Sequence, residues 1–195
     1  MIVVIDSCLG NSDSFATLLS GLNIPFLISS RESDICKADK IIFPGEGDAL
    51  SSLKRLHMMN LFNLLRLIKK PLLGIGLGMQ LLSERSKEGE SAGLGVFPVS
   101  TEKFDENKVT VPHAGLFPVK SLNKSKLFDE IEDNENFYFA HSFYLPLNQL
   151  TTSTCNYNVD FSASMEKDIF YGVQFHPQKS GSAGVQLMKN FVVKC

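Results

Sequence analysis

Pro71-Leu72-Leu73-Gly74-Ile75-Gly76-Leu77-Gly78-Met79-Gln80 carries an apolar run into a helix start across three glycines. Pro71 to Ile75 reads as a short buried strand, and a helix is expected from Met79 to Ser86 directly after it. A strand that turns at once into a helix belongs to α/β architecture, and such turns sit at the carboxyl end of the sheet. Two chemistries use them. A dinucleotide fingerprint needs G-x-G-x-x-G and a carboxylate about 20 residues further on, but Met79 stands where the third glycine should be. A nucleophile elbow, G-x-nucleophile-x-G, lifts a Ser or Cys to the tip of the sheet on a strained turn. Gly74 and Gly78 fit that turn, yet the nucleophile position is Gly76, which has no side chain.

The flanking sequence keeps the same rhythm. Ile2 to Ile5 is a strand and Ser7 to Asn11 a loop, and Phe15, Leu18, Leu19 and Leu22 recur at helical spacing. Ile24 to Ile28 and Lys40 to Phe43 are further strands, the second stopped by Pro44-Gly45-Glu46-Gly47, and leucines between Asp48 and Lys69 mark one or two helices. Alternating apolar strands and helices predict a parallel sheet covered on both faces. The loops at 7–11, 44–47 and 76–79 then share one rim. Glu84 to Glu90 reads as a solvated helix end and loop. The second half is β-rich, with strands expected near 108–111, 116–121, 137–142, 152–155, 159–164 and 168–175, and a last helix from about Ala183 to Lys194.

With 195 residues, 44% hydrophobic and 21% charged, the chain fits a single globular domain over 1–195. A net charge of −2 leaves no electrostatic footprint for nucleic acid. No apolar run reaches the roughly 18 residues of a membrane span, and the N-terminus lacks a basic leader. Cys8, Cys36, Cys155 and Cys195 form neither a disulfide framework nor a zinc knuckle, so free thiols in a reducing cytoplasm are expected.

Three other segments bear on chemistry. In Gly172-Val173-Gln174-Phe175-His176-Pro177-Gln178 a strand ends at a histidine with a polar residue two positions later, a pair that can orient an imidazole. Glycines 45 and 47 put N–H groups ahead of a helix, which suits an oxyanion or another anion as well as a plain tight strand-to-helix turn. Pro112-His113-Ala114-Gly115 and Ala140-His141-Ser142-Phe143 place two more histidines on loops, without metal-ligand spacing, so neither a metal nor a cofactor is expected.

Together these segments resemble the class I glutamine amidotransferases, above all the glutaminase subunits of the imidazole glycerol phosphate synthases. The anchors are Asp6 with Asn11, Pro44-Gly45-x-Gly47, Gly74-Ile75-x-Leu77-Gly78-Met79-Gln80, Pro112-His113-x-Gly115, Phe137-Tyr138-Phe139-x-His141-Ser142, and Tyr171-Gly172-Val173-Gln174-Phe175-His176-Pro177. The resemblance implies a three-layer, flavodoxin-like fold, with a mostly parallel sheet between helices and a β-rich second half. It also implies a Cys–His–Glu triad that hydrolyses glutamine through a thioester and passes ammonia to a (β/α)8-barrel cyclase in histidine biosynthesis. The oxyanion turn falls on Glu46 and Leu77, the glutamine pocket on Gly47, Gln80, Ser142 and Phe143, and the partner face on Asn11, His113, Gly115 and Leu116.

The departures fall on the chemistry. Gly76 holds the Cys position and Gln178 the Glu position, and of the triad only His176 remains. Glu46 replaces a usually apolar residue, and Leu116-Phe117 stands where the family has Trp-Asn. Cys8 lies in a loop of the same rim but not on an elbow. Three readings stay open: a non-hydrolysing or barely active relative that scaffolds or regulates a cyclase, a working amidotransferase subunit, for histidine or for sugar amidation, with altered catalytic residues, and a stand-alone binder of a small amino acid. The first is the leading expectation.

Overall fold

The computed structural model describes residues 1–6 and 12–195, so the loop containing Cys8 and Asn11 lies outside the described residues. The first half runs β1 (Ile2–Ile5), α1 (Ser12–Gly21), β2 (Phe26–Ser29), α2 (Glu32–Lys37), β3 (Lys40–Gly45), α3 (Ala49–Met58), α4 (Leu61–Leu67), β4 (Leu72–Gly76) and α5 (Leu77–Leu81). Three short strands follow, β5 (Ser83–Ser86), β6 (Ser91–Ala92) and β7 (Phe97–Ser100), which form a small sheet of their own. The second half continues with β8 (Glu102–Lys103), β9 (His113–Ser121), β10 (Glu135–His141), β11 (Phe143–Tyr144), β12 (Thr151–Tyr157), β13 (Val159–Lys167), β14 (Phe170–Val173) and α6 (Gly181–Lys194).

The main sheet has nine strands among the described residues, in the order β10-β9-β12-β13-β14-β4-β3-β1-β2. From β14 to β2 all neighbours are parallel, and from β10 to β14 all are antiparallel. The expected α/β sheet is therefore mixed. Its parallel part comes from the first half plus β14, and the β-rich half extends the same sheet.

Alternation along the strands explains the layers. Val3, Ile5, Ile41, Phe43 and Leu72 pack on one face, with residues of α2, α3 and α4. Ile2, Val4, Ile42, Leu73 and Ile75 point the other way, against Phe15 and Leu19 of α1 and Leu187, Met188 and Phe191 of α6. Successive side chains in a strand face opposite sides, so a run apolar at every position needs cover on both.

Several expected boundaries moved. The helix expected from Met79 begins at Leu77 and ends at Leu81 instead of reaching Ser86. Leu94 and Gly95 donate their N–H groups to the carbonyls of Leu81 and Ser83, and Gly93 to that of Glu84, which takes acceptors a longer helix would need. Ser83 to Ser86 is consequently a strand, not a solvated helix end. No strand forms at 108–111, where Lys108 and Val109 bond back to the carbonyl of Asp105 in a turn. Helix α2 carries only Ile35 as a buried residue and thus no apolar period that could announce it.

Gly78 shows how tightly the elbow packs. A Cβ there would lie 2.0 Å from the carbonyl oxygen of Phe43, a backbone atom held within β3. Gly78→Ala is therefore expected to lower stability by about 3 kcal/mol, the upper end of overpacking costs, as read from urea unfolding. An unchanged midpoint would refute this account of the β3–α5 contact.

Candidate active site

β3, β4 and β14 are neighbours in the parallel half, with Gly45 opposite Gly76 in register. Their carboxyl ends bring the 44–47 turn, the Gly76 elbow and the His176 segment to one rim, the place where open α/β sheets bind ligands. A cavity of about 380 Å³ opens there, lined by Glu46, Gly47, Leu77, Gln80, His141, Ser142, Phe143 and His176 among others.

Gly76 has φ 60° and ψ −120°, a conformation closed to most side chains. It is the strained backbone expected at a nucleophile elbow, adopted freely by glycine. A Cβ at this position would sit 3.1 Å from His176 Cε1 and 3.5 Å from His176 Nε2. The elbow thus aims at the imidazole but presents nothing to it.

His176 is buried, and its backbone N–H donates to the Tyr138 carbonyl at 2.8 Å. The Ser180 hydroxyl donates to the His176 carbonyl at 2.7 Å. Burial, with Lys179 nearby, lowers the imidazole pKa to about 4, so the ring is neutral at neutral pH. Gln178 Nε2 lies 3.3 Å from His176 Nδ1. An amide N–H donated there leaves the ring proton on Nε2, pointing into the cavity, which is the reverse of the tautomer a general base needs. Gln178 Oε1 is buried with no hydrogen-bond partner.

The turn at 44–47 places Gly47 at φ 88°, and the Glu46 carboxylate faces Lys179 at 3.8 Å. Gln80 differs from the simple expectation of a ligand contact. Its Nε2 donates to the Phe143 carbonyl at 2.7 Å and to Gln174 Oε1 at 2.9 Å, so both amide N–H groups serve the protein. Leu116 is exposed and stands opposite Tyr138 in the β9–β10 pair, and Gly115 is half-buried on the same strand. His113 does not fit the partner face: it is fully buried, because its ring closes an aromatic cluster with Phe117, Phe139 and Tyr157.

Two lining residues escaped the sequence. Glu88, in a stretch that read as solvated, reaches the cavity and accepts the Ala49 N–H at 2.7 Å, holding the start of α3. Gln174 is buried against Gln80. No period marks Glu88, and only its neighbour His176 could have drawn attention to Gln174. Among the described residues no group of three His, Cys, Asp or Glu side chains converges on a metal-sized space.

The family model for class-I glutamine amidotransferases matches residues 16–195. The chain belongs to the class-I glutamine amidotransferases. Within the family it is 38% identical over 193 residues to the imidazole glycerol phosphate synthase subunit HisH of Buchnera aphidicola subsp. Schizaphis graminum, covering 98% of each chain. The protein of that name from Escherichia coli strain K12 is 37% identical over 192 residues, again covering 98% of each. Among solved structures, a glutamine amidotransferase from Thermotoga maritima superposes with a TM-score of 0.65 at 18% identity, covering 98% of this chain and 80% of that one. The glutaminase domain of Trypanosoma brucei CTPS gives 0.61 at 16%, covering 100% and 94%. At such low identity these two structures establish the amidotransferase fold and nothing finer.

Proposed function

We propose that this chain is the glutaminase-type subunit of an imidazole glycerol phosphate synthase, acting in histidine biosynthesis, and that it holds glutamine without hydrolysing it. It docks on a (β/α)8-barrel cyclase that draws on free ammonia. The observation that carries the reading is Gly76, whose Cβ direction runs to His176 while the position carries no thiol. Losing the nucleophile of such a triad costs about 10⁶ in rate. The rest of the pocket supports a small amino-acid ligand: a cavity of fitting size, the Gly47 turn, and the Ser142–Phe143 wall. The oxyanion position is altered too, with the Glu46 carboxylate near it and Lys179 partly neutralising that charge. The partner face centres on exposed Leu116 beside Tyr138, with Lys179 5.5 Å above the Tyr138 ring. The similarity to HisH subunits supports the choice of synthase.

The purified chain, with and without the cyclase of its own organism, is expected to release no ammonia from glutamine above background. Turnover within about a hundredfold of an ordinary kcat near 10 s⁻¹ would sink the reading. So would a thioester trapped on Cys8. Co-elution with the cyclase is expected in size exclusion, whereas separate elution would favour the stand-alone binder.

A further inference from the structure

His113 and His141 stand opposite each other in the β9–β10 pair, and neither is needed by the elbow chemistry. His141 Nδ1 lies 2.7 Å from the Phe143 carbonyl oxygen. A carbonyl only accepts, so Nδ1 carries the proton and His141 Nε2 is bare. The atom facing that bare nitrogen is His113 Nδ1, at 3.0 Å, which must therefore donate. The proton order is thus set from the carbonyl outward, and it ends at His113 Nε2, buried without a partner. The Phe143 carbonyl is gripped from the other side by Gln80 Nε2. Residues 140–143 form one wall of the cavity, held by the β11–β8 pairing of Phe143 with Lys103, by the Phe104 N–H on the Ser142 carbonyl, and by the two bonds to the Phe143 carbonyl.

We propose that His113 is a positioning residue of the ligand pocket: its Nδ1–H pairs with the bare Nε2 of His141 and holds that ring in place, His141 donates to the Phe143 carbonyl, and the Ser142–Phe143 wall is held ready for the ligand. The proposal rests on reading the cavity as the glutamine site. It explains why a polar ring sits 0% exposed in an aromatic cluster with one nitrogen unsatisfied, where a phenylalanine would pack at no such cost. Burial also keeps both rings neutral, His113 lowered to about 4 and His141 to about 3, as a fixed tautomer chain requires.

The test compares three proteins by glutamine calorimetry and by long-range ¹⁵N–¹H spectra of the imidazoles. His113→Phe keeps an aromatic ring but loses the donor. His113→Asn keeps an N–H near the Nδ1 position. The wild type is expected to show Nδ1–H tautomers on both rings. His113→Phe is expected to weaken glutamine binding at least about tenfold and to shift the His141 Nε2 resonance as that nitrogen loses its donor, while His113→Asn stays within about threefold of wild type. Wild-type affinity in His113→Phe, an equal loss in His113→Asn, or an Nε2–H tautomer on either wild-type ring would each overturn the proposal. If the wild type binds no glutamine, the functional reading fails instead, and the tautomer spectra alone decide the role of His113. If His113→Phe does not fold, the wild-type tautomers and the His113→Asn affinity still decide it.

Discussion

Glutaminase activity is expected to return when Gly76→Cys and Gln178→Glu are made together, at least about a hundredfold above background, and to stay at background with either alone. The non-additivity has a structural cause. A thiol at position 76 would stand beside His176 Nε2, but in the present tautomer that nitrogen carries a proton and cannot take another. In a serine-protease triad, replacing the carboxylate by its amide fixes the wrong tautomer and costs about 10⁴ in kcat. A carboxylate at 178 accepts from Nδ1–H with either oxygen and frees Nε2 as base. The new side chain enters a positive-φ site with a 3.1 Å contact to His176 Cε1. Stability should therefore drop by roughly 1–3 kcal/mol. Rescue is further limited by Glu46, whose charge opposes a developing oxyanion, so Glu46→Val in the double variant is expected to raise the rate again. Steady-state ammonia release with the cyclase present measures all four proteins. If the folded, partner-bound double and triple variants stay at background, the glutamine-site assignments are wrong.

The second large effect is loss of stability in mild acid. His141 and His176 are buried and neutral in the fold, with pKa values lowered to about 3 and about 4 from 6.5. As pH falls below 6.5 the unfolded chain takes up protons that the folded chain refuses, so stability falls with pH down to the native values. Over that window His176 contributes on the order of 3 kcal/mol and His141 on the order of 5, and His113 acts in the same direction. Glu166 opposes them: burial raises its pKa, so the folded chain gains a proton there before the unfolded one does. Asp48, held below the usual range by the Ser51 N–H it caps, stays ionised throughout. Urea midpoints between about pH 7 and about pH 4.5 should fall steeply, and His176→Gln should reduce the slope by about one proton. A flat profile would show that these rings are solvated.

The sequence alone reaches a definite depth here. The βαβα rhythm is legible because a strand apolar at every position, such as Ile2 to Ile5 or Leu72 to Ile75, is stable only between two covering layers. The elbow is legible for a steric reason. Gly74 and Gly78 are required by backbone approaching backbone, and that demand is met by residue type whatever else surrounds it. The same logic marks Gly76, between those two glycines, as the position on which the proposed loss of hydrolysis rests.

Only the tertiary structure decided the rest. Ser83 to Ser86 became a strand because distant residues, Gly93 to Gly95, claimed the carbonyls around it, and no local period encodes a competitor eight or more positions away. Glu88 joined the cavity through its bond to Ala49, far back in the chain. His113 read as a loop histidine on the partner face and proved fully buried, and the place of the proton on His113, His141 and His176 follows from the one atom that faces a nitrogen of each ring. Residue identity sets which groups can donate or accept, but the sense of a hydrogen bond is settled only by the partner that folding brings within 3 Å or so of it.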